Sequence, residues 1–124
     1  MTLRRLSILQ WFGFGGAGLM WAVQHVVGFG ITDAACSAGG FRWGIANDLW
    51  QLTLLVVAGL IVLAAEAAAV LVYVRTSGSE EDDPAPLGRM HFLATAAMVA
   101  NILFLAAMVM DALASTFGTI CRQA

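Results

Sequence analysis

WFGFGGAGLMWAVQHVVGFGI, residues 11–31, admits two incompatible readings. Its segment Gly13–Gly18 fits G-x-G-x-x-G, the turn that grips a pyrophosphate in dinucleotide-binding domains. Taken whole, it is a nearly continuous apolar stretch of the length a membrane helix requires. The first reading needs a strand before the glycines, a helix after them and an acid about 20 residues on, within one βαβ unit. Asp33 stands where that acid belongs, but no second strand leads up to it, and 124 residues leave little room for a doubly wound sheet. Composition decides the matter. The chain is 60% hydrophobic and only 11% charged, with a mean hydropathy of +0.85, whereas soluble domains carry about a quarter charged residues. A nucleotide site is therefore not expected, and the glycines need another use.

Working outward, the same apolar character recurs in three runs, at about 8–31, 49–74 and 90–117. In the second, Leu54–Ala65 has no polar side chain at all. Each run can cross about 30 Å of hydrocarbon at about 1.5 Å per residue. Two short loops and two short tails remain, so residues 1–124 read as a single all-α membrane domain with three transmembrane helices. Arg4 and Arg5 before the first run resemble the start of a signal peptide. The apolar stretch exceeds the 7–15 residues of a signal core, however, so a helix of the mature protein is expected.

All six basic residues are arginines. With the N-terminus cytoplasmic, Arg4, Arg5, Arg75 and Arg89 lie inside, against Arg42 and Arg122 outside. The positive-inside rule favours this orientation, which leaves the C-terminus on the periplasmic, outer side. The inner loop, 75–89, carries Glu80-Glu81-Asp82-Asp83 between serine- and proline-containing flanks and reads as a solvated, flexible connection. Its acids serve solubility or dock a basic partner. The outer loop, Thr32–Asp48, contains Phe41 and Trp43, residue types that settle at the lipid–water interface. Asn47 or Asp48 is suited to cap the second helix, with Trp50 following as an interface anchor.

The two cysteines, Cys36 and Cys121, fall just beyond the first and third helices. Three crossings bring both to the outer, oxidising side, where disulfides persist. A Cys36–Cys121 disulfide is the expected result; two unrelated buried thiols are the alternative. Neither cysteine has a neighbouring His or Cys in sequence that suggests a metal.

Ionisable and amide side chains inside hydrocarbon are costly, so each needs a partner or a purpose. The first helix has Gln24 and His25, the second Glu66, the third Asn101 and Asp111. Counting at about 1.5 Å per residue, His25 lies roughly 9 Å and Asp111 roughly 10 Å outward of their helix midpoints. Glu66 and Asn101 both lie roughly 5 Å inward of theirs. Shared depth predicts the pairs His25–Asp111 and Glu66–Asn101. The faces agree: Gly18, Trp21, His25 and Gly28 form one stripe, and Ala97, Ala100, Phe104, Ala107, Asp111 and Ala114 another. On the second helix, Gly59, Val62, Glu66, Ala69 and Tyr73 share a side. Gly13, Gly15, Gly16 and Gly18 with Ala17 then become smooth contact surface for a neighbouring helix.

Three roles compete for the intramembrane polar groups. They are hydrogen-bonded glue between helices, or His25, Glu66 and Asp111 mark a proton or ion path, or His25 binds haem with Met108 or Met110 opposite. Glue is the favoured role. Three helices are few to enclose a path, and methionine fills cores more often than it binds iron. His91, near the inner face beside Arg89, reads as a plain interfacial residue. No nucleophile–base pair, phosphate loop or metal-ligand cluster stands out, so neither catalysis nor a cofactor of its own is expected. Contact with lipid or quinone stays open.

Trp21, Gln24, His25 and Gly28 on the first helix, Cys36 just after it and Cys121 near the C-terminus make a sparse pattern over the length of the chain. In this the chain resembles a family of small three-helix membrane proteins encoded beside haem–copper cytochrome oxidase genes. The resemblance offers no catalytic residues. It implies a place in or near a respiratory membrane complex of the bacterial inner (cytoplasmic) membrane, with larger integral membrane subunits as partners and no nucleic acid. The expectation is an accessory subunit, without catalysis, of a respiratory or photosynthetic electron-transfer complex. The rivals are a small transporter or proton-conducting element and a transient assembly factor.

Overall fold

The computed structural model describes residues 2–37, 44, 46–78, 86–117 and 121. Among them are three helices and no strand: α1 over Leu3–Cys36, α2 over Asn47–Arg75 and α3 over Leu87–Phe117. All three are long and apolar enough to cross a membrane. The interface residues Phe41 and Trp43, the acidic run 80–83, and Arg42 and Arg122 lie outside the described residues.

α1 runs well past its expected bounds of 8–31. Its 34 residues span about 51 Å, against about 30 Å of hydrocarbon. No proline precedes Pro84, and the polar ends continue in good helix formers such as Leu, Arg and Ala. The helix stops at Ser37, whose backbone turns extended and whose hydroxyl donates to the Ala34 carbonyl at 2.7 Å. The outer loop is accordingly shorter than expected.

α2 begins at Asn47, one of the two residues foreseen as its cap. Ala46 occupies the capping position and makes no side-chain bond, so neither Asn47 nor Asp48 caps the helix. Asn47 instead turns inward, accepting a hydrogen bond from Thr32 Oγ1 of α1 at 3.1 Å. A bond to a neighbouring helix has won over a bond to its own backbone.

Each helix packs against both others, and the contacts fix their directions. Leu6 meets Val72, Met90 and Ala94 at the end that carries the N-terminus, labelled inner, as the opposite end is labelled outer, after the expected orientation. Ala17 meets Ala58, Val62 and Met108 midway. Thr32 meets Asn47 at the outer end, and Cys36 joins Cys121. α1 and α3 therefore run parallel, with α2 antiparallel to both. Lipid tails are as apolar as leucine, so these helices associate through close packing and hydrogen bonds rather than through removal of apolar surface from water. The interior is built accordingly, from Ala17, Ala58, Ala65, Ala69, Ala94 and Ala97, with Met108, Val62 and Val72 as its largest fully enclosed apolar side chains.

The glycines divide. A Cβ on Gly13 would stand 3.0 Å from the backbone nitrogen of Ala69 and 3.2 Å from the Ala65 carbonyl oxygen, so here the α1 and α2 backbones touch. Gly16 faces Ala65, and Gly18 makes room for the ring of Phe104. Gly15 does not belong to this surface: it is exposed, with nothing near the place of a Cβ. At about 100° per residue it lies well round the helix from Gly13. On α2 the packed side is Ala58, Val62, Ala65, Ala69 and Val72. Gly59 and Tyr73, expected on that side, stand at its edge and outside it, and Glu66 sits on its shoulder. On α3, Ala114 is exposed, and the contact line passes through Met90, Ala94, Ala97, Asn101, Met108 and Ala112.

Candidate functional site

The polar side chains between the helices form separate layers. In the inner one, Asn101 is almost fully enclosed and spends both amide protons. Its Nδ2 donates to the Gly13 carbonyl at 3.0 Å and to Glu66 Oε2 at 3.1 Å. One side chain of α3 thus ties down the backbone of α1 and the carboxylate of α2. Gln10, one turn inward of Gly13, is 3% exposed. Its Nε2 and Asn101 Oδ1 are a donor and an acceptor with no partner among the described residues.

Above this lies an apolar layer of Ala17, Ala58, Val62 and Met108, none more than 2% exposed. Met108, weighed as a haem ligand opposite His25, is part of this packed layer, while Met110 points outward.

The outer polar layer runs along α1 and α2. Gln24 Nε2 donates to the Met108 carbonyl at 3.4 Å. Gln51 Nε2 donates to the Gly28 carbonyl at 2.9 Å and to Thr32 Oγ1 at 3.1 Å. Gly28 therefore packs against the Gln51 amide. The disulfide closes the outer end of the bundle, with Cα atoms of Cys36 and Cys121 5.5 Å apart.

His25 and Asp111 pair as expected, with Nδ1 3.1 Å from Oδ2. They differ from the other polar groups in facing outward, with side-chain exposures of 57% and 40%. The imidazole stacks on Trp21 at a centroid distance of 5.8 Å, and Trp21 packs against Phe104 at 5.6 Å. At the inner end, His91 is not merely interfacial. Its Nδ1 lies 3.1 Å from Thr76 Oγ1, and its ring stacks on Tyr73 at 4.7 Å, joining the end of α2 to the start of α3.

Sequence reasoning brought together both predicted pairs and passed over Gln10, Thr32, Gln51 and Thr76. Thr32, Gln51 and Thr76 lie where a polar residue is expected to face head groups, so composition raises no alarm. Spacing holds the missed signal: Gly28, Thr32, Asn47 and Gln51 are each one turn apart along antiparallel neighbours. Among the described residues no group of three or more His, Cys, Asp or Glu could hold a metal. The fold and site define a three-helix membrane bundle, cross-linked internally by amides and clamped by a disulfide. Compared with protein-family models, curated proteins and solved structures, the chain matches none.

Proposed function

We propose that this chain is a non-catalytic subunit of a larger electron-transfer assembly in the bacterial inner membrane, N-terminus inside, working through helix contacts. The observation that carries the reading is the use of Asn101: a buried polar group in mid-membrane is consumed in holding three helices together. Gln24 and Gln51 are used in the same way. With the interior committed to cohesion, the outward faces are left for partners. They hold bulky exposed side chains, among them Trp11, Phe14, Phe29 and Trp50. The resemblance to proteins encoded beside haem–copper oxidases supplies the kind of assembly.

The rival, a proton or ion path through His25, Glu66 and Asp111, has the closed apolar layer of Ala17, Ala58, Val62 and Met108 against it. Native mass spectrometry of gently solubilised membranes tests the proposal. Stable co-isolation with haem-bearing subunits is expected. Self-contained flux in liposomes would favour the rival, and presence only in immature complexes would favour an assembly factor.

A further inference from the structure

His25 and Asp111 are the exposed members of an otherwise enclosed polar set. They stand about 8 and 14 Å from their helix midpoints toward the disulfide end, His25 inside about 30 Å of hydrocarbon and Asp111 at its margin. Polar capacity left facing lipid at such depth is costly. Beyond the contact of Nδ1 with Oδ2, His25 Nε2 and Asp111 Oδ1 have no hydrogen-bond partner among the described residues. In the tautomer that places the proton on Nδ1, both atoms are acceptors. In that tautomer a ligand that donates a hydrogen bond completes the pair.

The walls narrow the choice further. On α1, Trp21 lies one turn inward of His25 and stacks on it, and Phe29 lies one turn outward and is exposed. On α3, Ala107 and Ala114 beside Asp111 offer only methyl groups, and the Ser115 hydroxyl one turn on is spent on the Ala112 carbonyl. An aromatic wall thus faces a low one, with the polar pair at its foot. Trp21 and Asp111 also hold the imidazole from two sides, so its orientation is set before anything binds.

We propose that Trp21, His25 and Asp111 form a binding site, open to the outer leaflet, for a membrane-dissolved aromatic alcohol. The ligand class is a phenol or hydroquinone head on an apolar tail, its hydroxyl donating to His25 Nε2 or Asp111 Oδ1 and its ring lying along Trp21. This site is independent of the assembly role proposed above.

The test uses the full chain in lipid nanodiscs with 15N-labelled histidine, titrated with 4-octylphenol, 4-octylanisole or 1-octanol. The octylphenol is expected to shift the His25 ring nitrogens saturably and to leave those of His91, at the opposite end of the bundle, unmoved. Octylanisole lacks the donor and is expected to bind about tenfold more weakly, the loss of one good hydrogen bond; octanol keeps the donor but lacks the ring and its aromatic contact, and is also expected to bind more weakly. Ala107→Leu raises the low wall without touching the pair and is expected to abolish the shift. Asp111→Asn is expected to weaken binding about tenfold. Unchanged His91 signals and an intact Cys36–Cys121 bond show that each variant is folded. Equal binding of the three probes, absence of a saturable His25 shift, or undiminished binding by folded Ala107→Leu would overturn the proposal.

Discussion

The Gln51 side chain lies across Gly28: its Nε2 donates to the Gly28 carbonyl at 2.9 Å, and a Cβ on Gly28 would stand 2.9 Å from its Oε1. Gly13 is more tightly placed, because its neighbours are backbone atoms of α2 that no rotamer change can move. Gly28→Ala should therefore swing Gln51 aside and cost about 1 kcal/mol, the worth of an interhelical hydrogen bond in a membrane. Gly13→Ala must push two helices apart, at about 2 kcal/mol or more. Gly15→Ala should be neutral to within about 0.5 kcal/mol. Reversible unfolding in mixed micelles would check the order Gly13, Gly28, Gly15; equal effects at all three would contradict the packing described.

Asn101 and Glu66 should be energetically coupled. A double-mutant cycle of Asn101→Ala and Glu66→Ala is expected to give about 0.6 to 1.7 kcal/mol. Zero coupling would mean that the Asn101 amide acts on the Gly13 carbonyl alone.

Reduction of Cys36–Cys121 should loosen the bundle. The bond joins positions 85 residues apart, which by loop entropy alone would contribute about 4 to 5 kcal/mol. Helices that stay inserted when separated are already confined by the bilayer, so the measured loss should fall well below that ceiling. Comparison of oxidised and reduced protein in thermal unfolding, with Cys36→Ser as the permanent equivalent, measures it. An unchanged midpoint would show that the clamp adds nothing to the packing below it.

The orientation proposed from the arginines predicts opposite labelling of two loop positions. In a background of Cys36→Ser and Cys121→Ser, Ser37→Cys should react with a membrane-impermeant maleimide on intact cells. Ser77→Cys should react only after the cells are opened. The reverse pattern would invert the topology and place the disulfide on the cytoplasmic side.

The amino-acid sequence alone determined what depends on length and depth. Apolar runs of sufficient length in so uncharged a chain left only membrane helices as a fold. Because an α-helix rises by a constant amount per residue, depth can be counted, and the counts matched His25 with Asp111 and Glu66 with Asn101. Parity of crossings brought Cys36 and Cys121 to one end. The tertiary structure decided rotation about each helix axis. A soluble helix advertises its buried side by contrast with a polar one, but here lipid and interior are equally apolar. Nothing in the sequence of α2 therefore distinguishes a contact line through Gly59 and Tyr73 from the actual one through Ala58, Ala65 and Val72. For the same reason Gly15 looks no different from Gly13. Bonds from Gln24, Gln51 and Asn101 to backbone carbonyls also leave no trace in residue types, since every residue carries a carbonyl; only the closeness of the helices selects which one is reached.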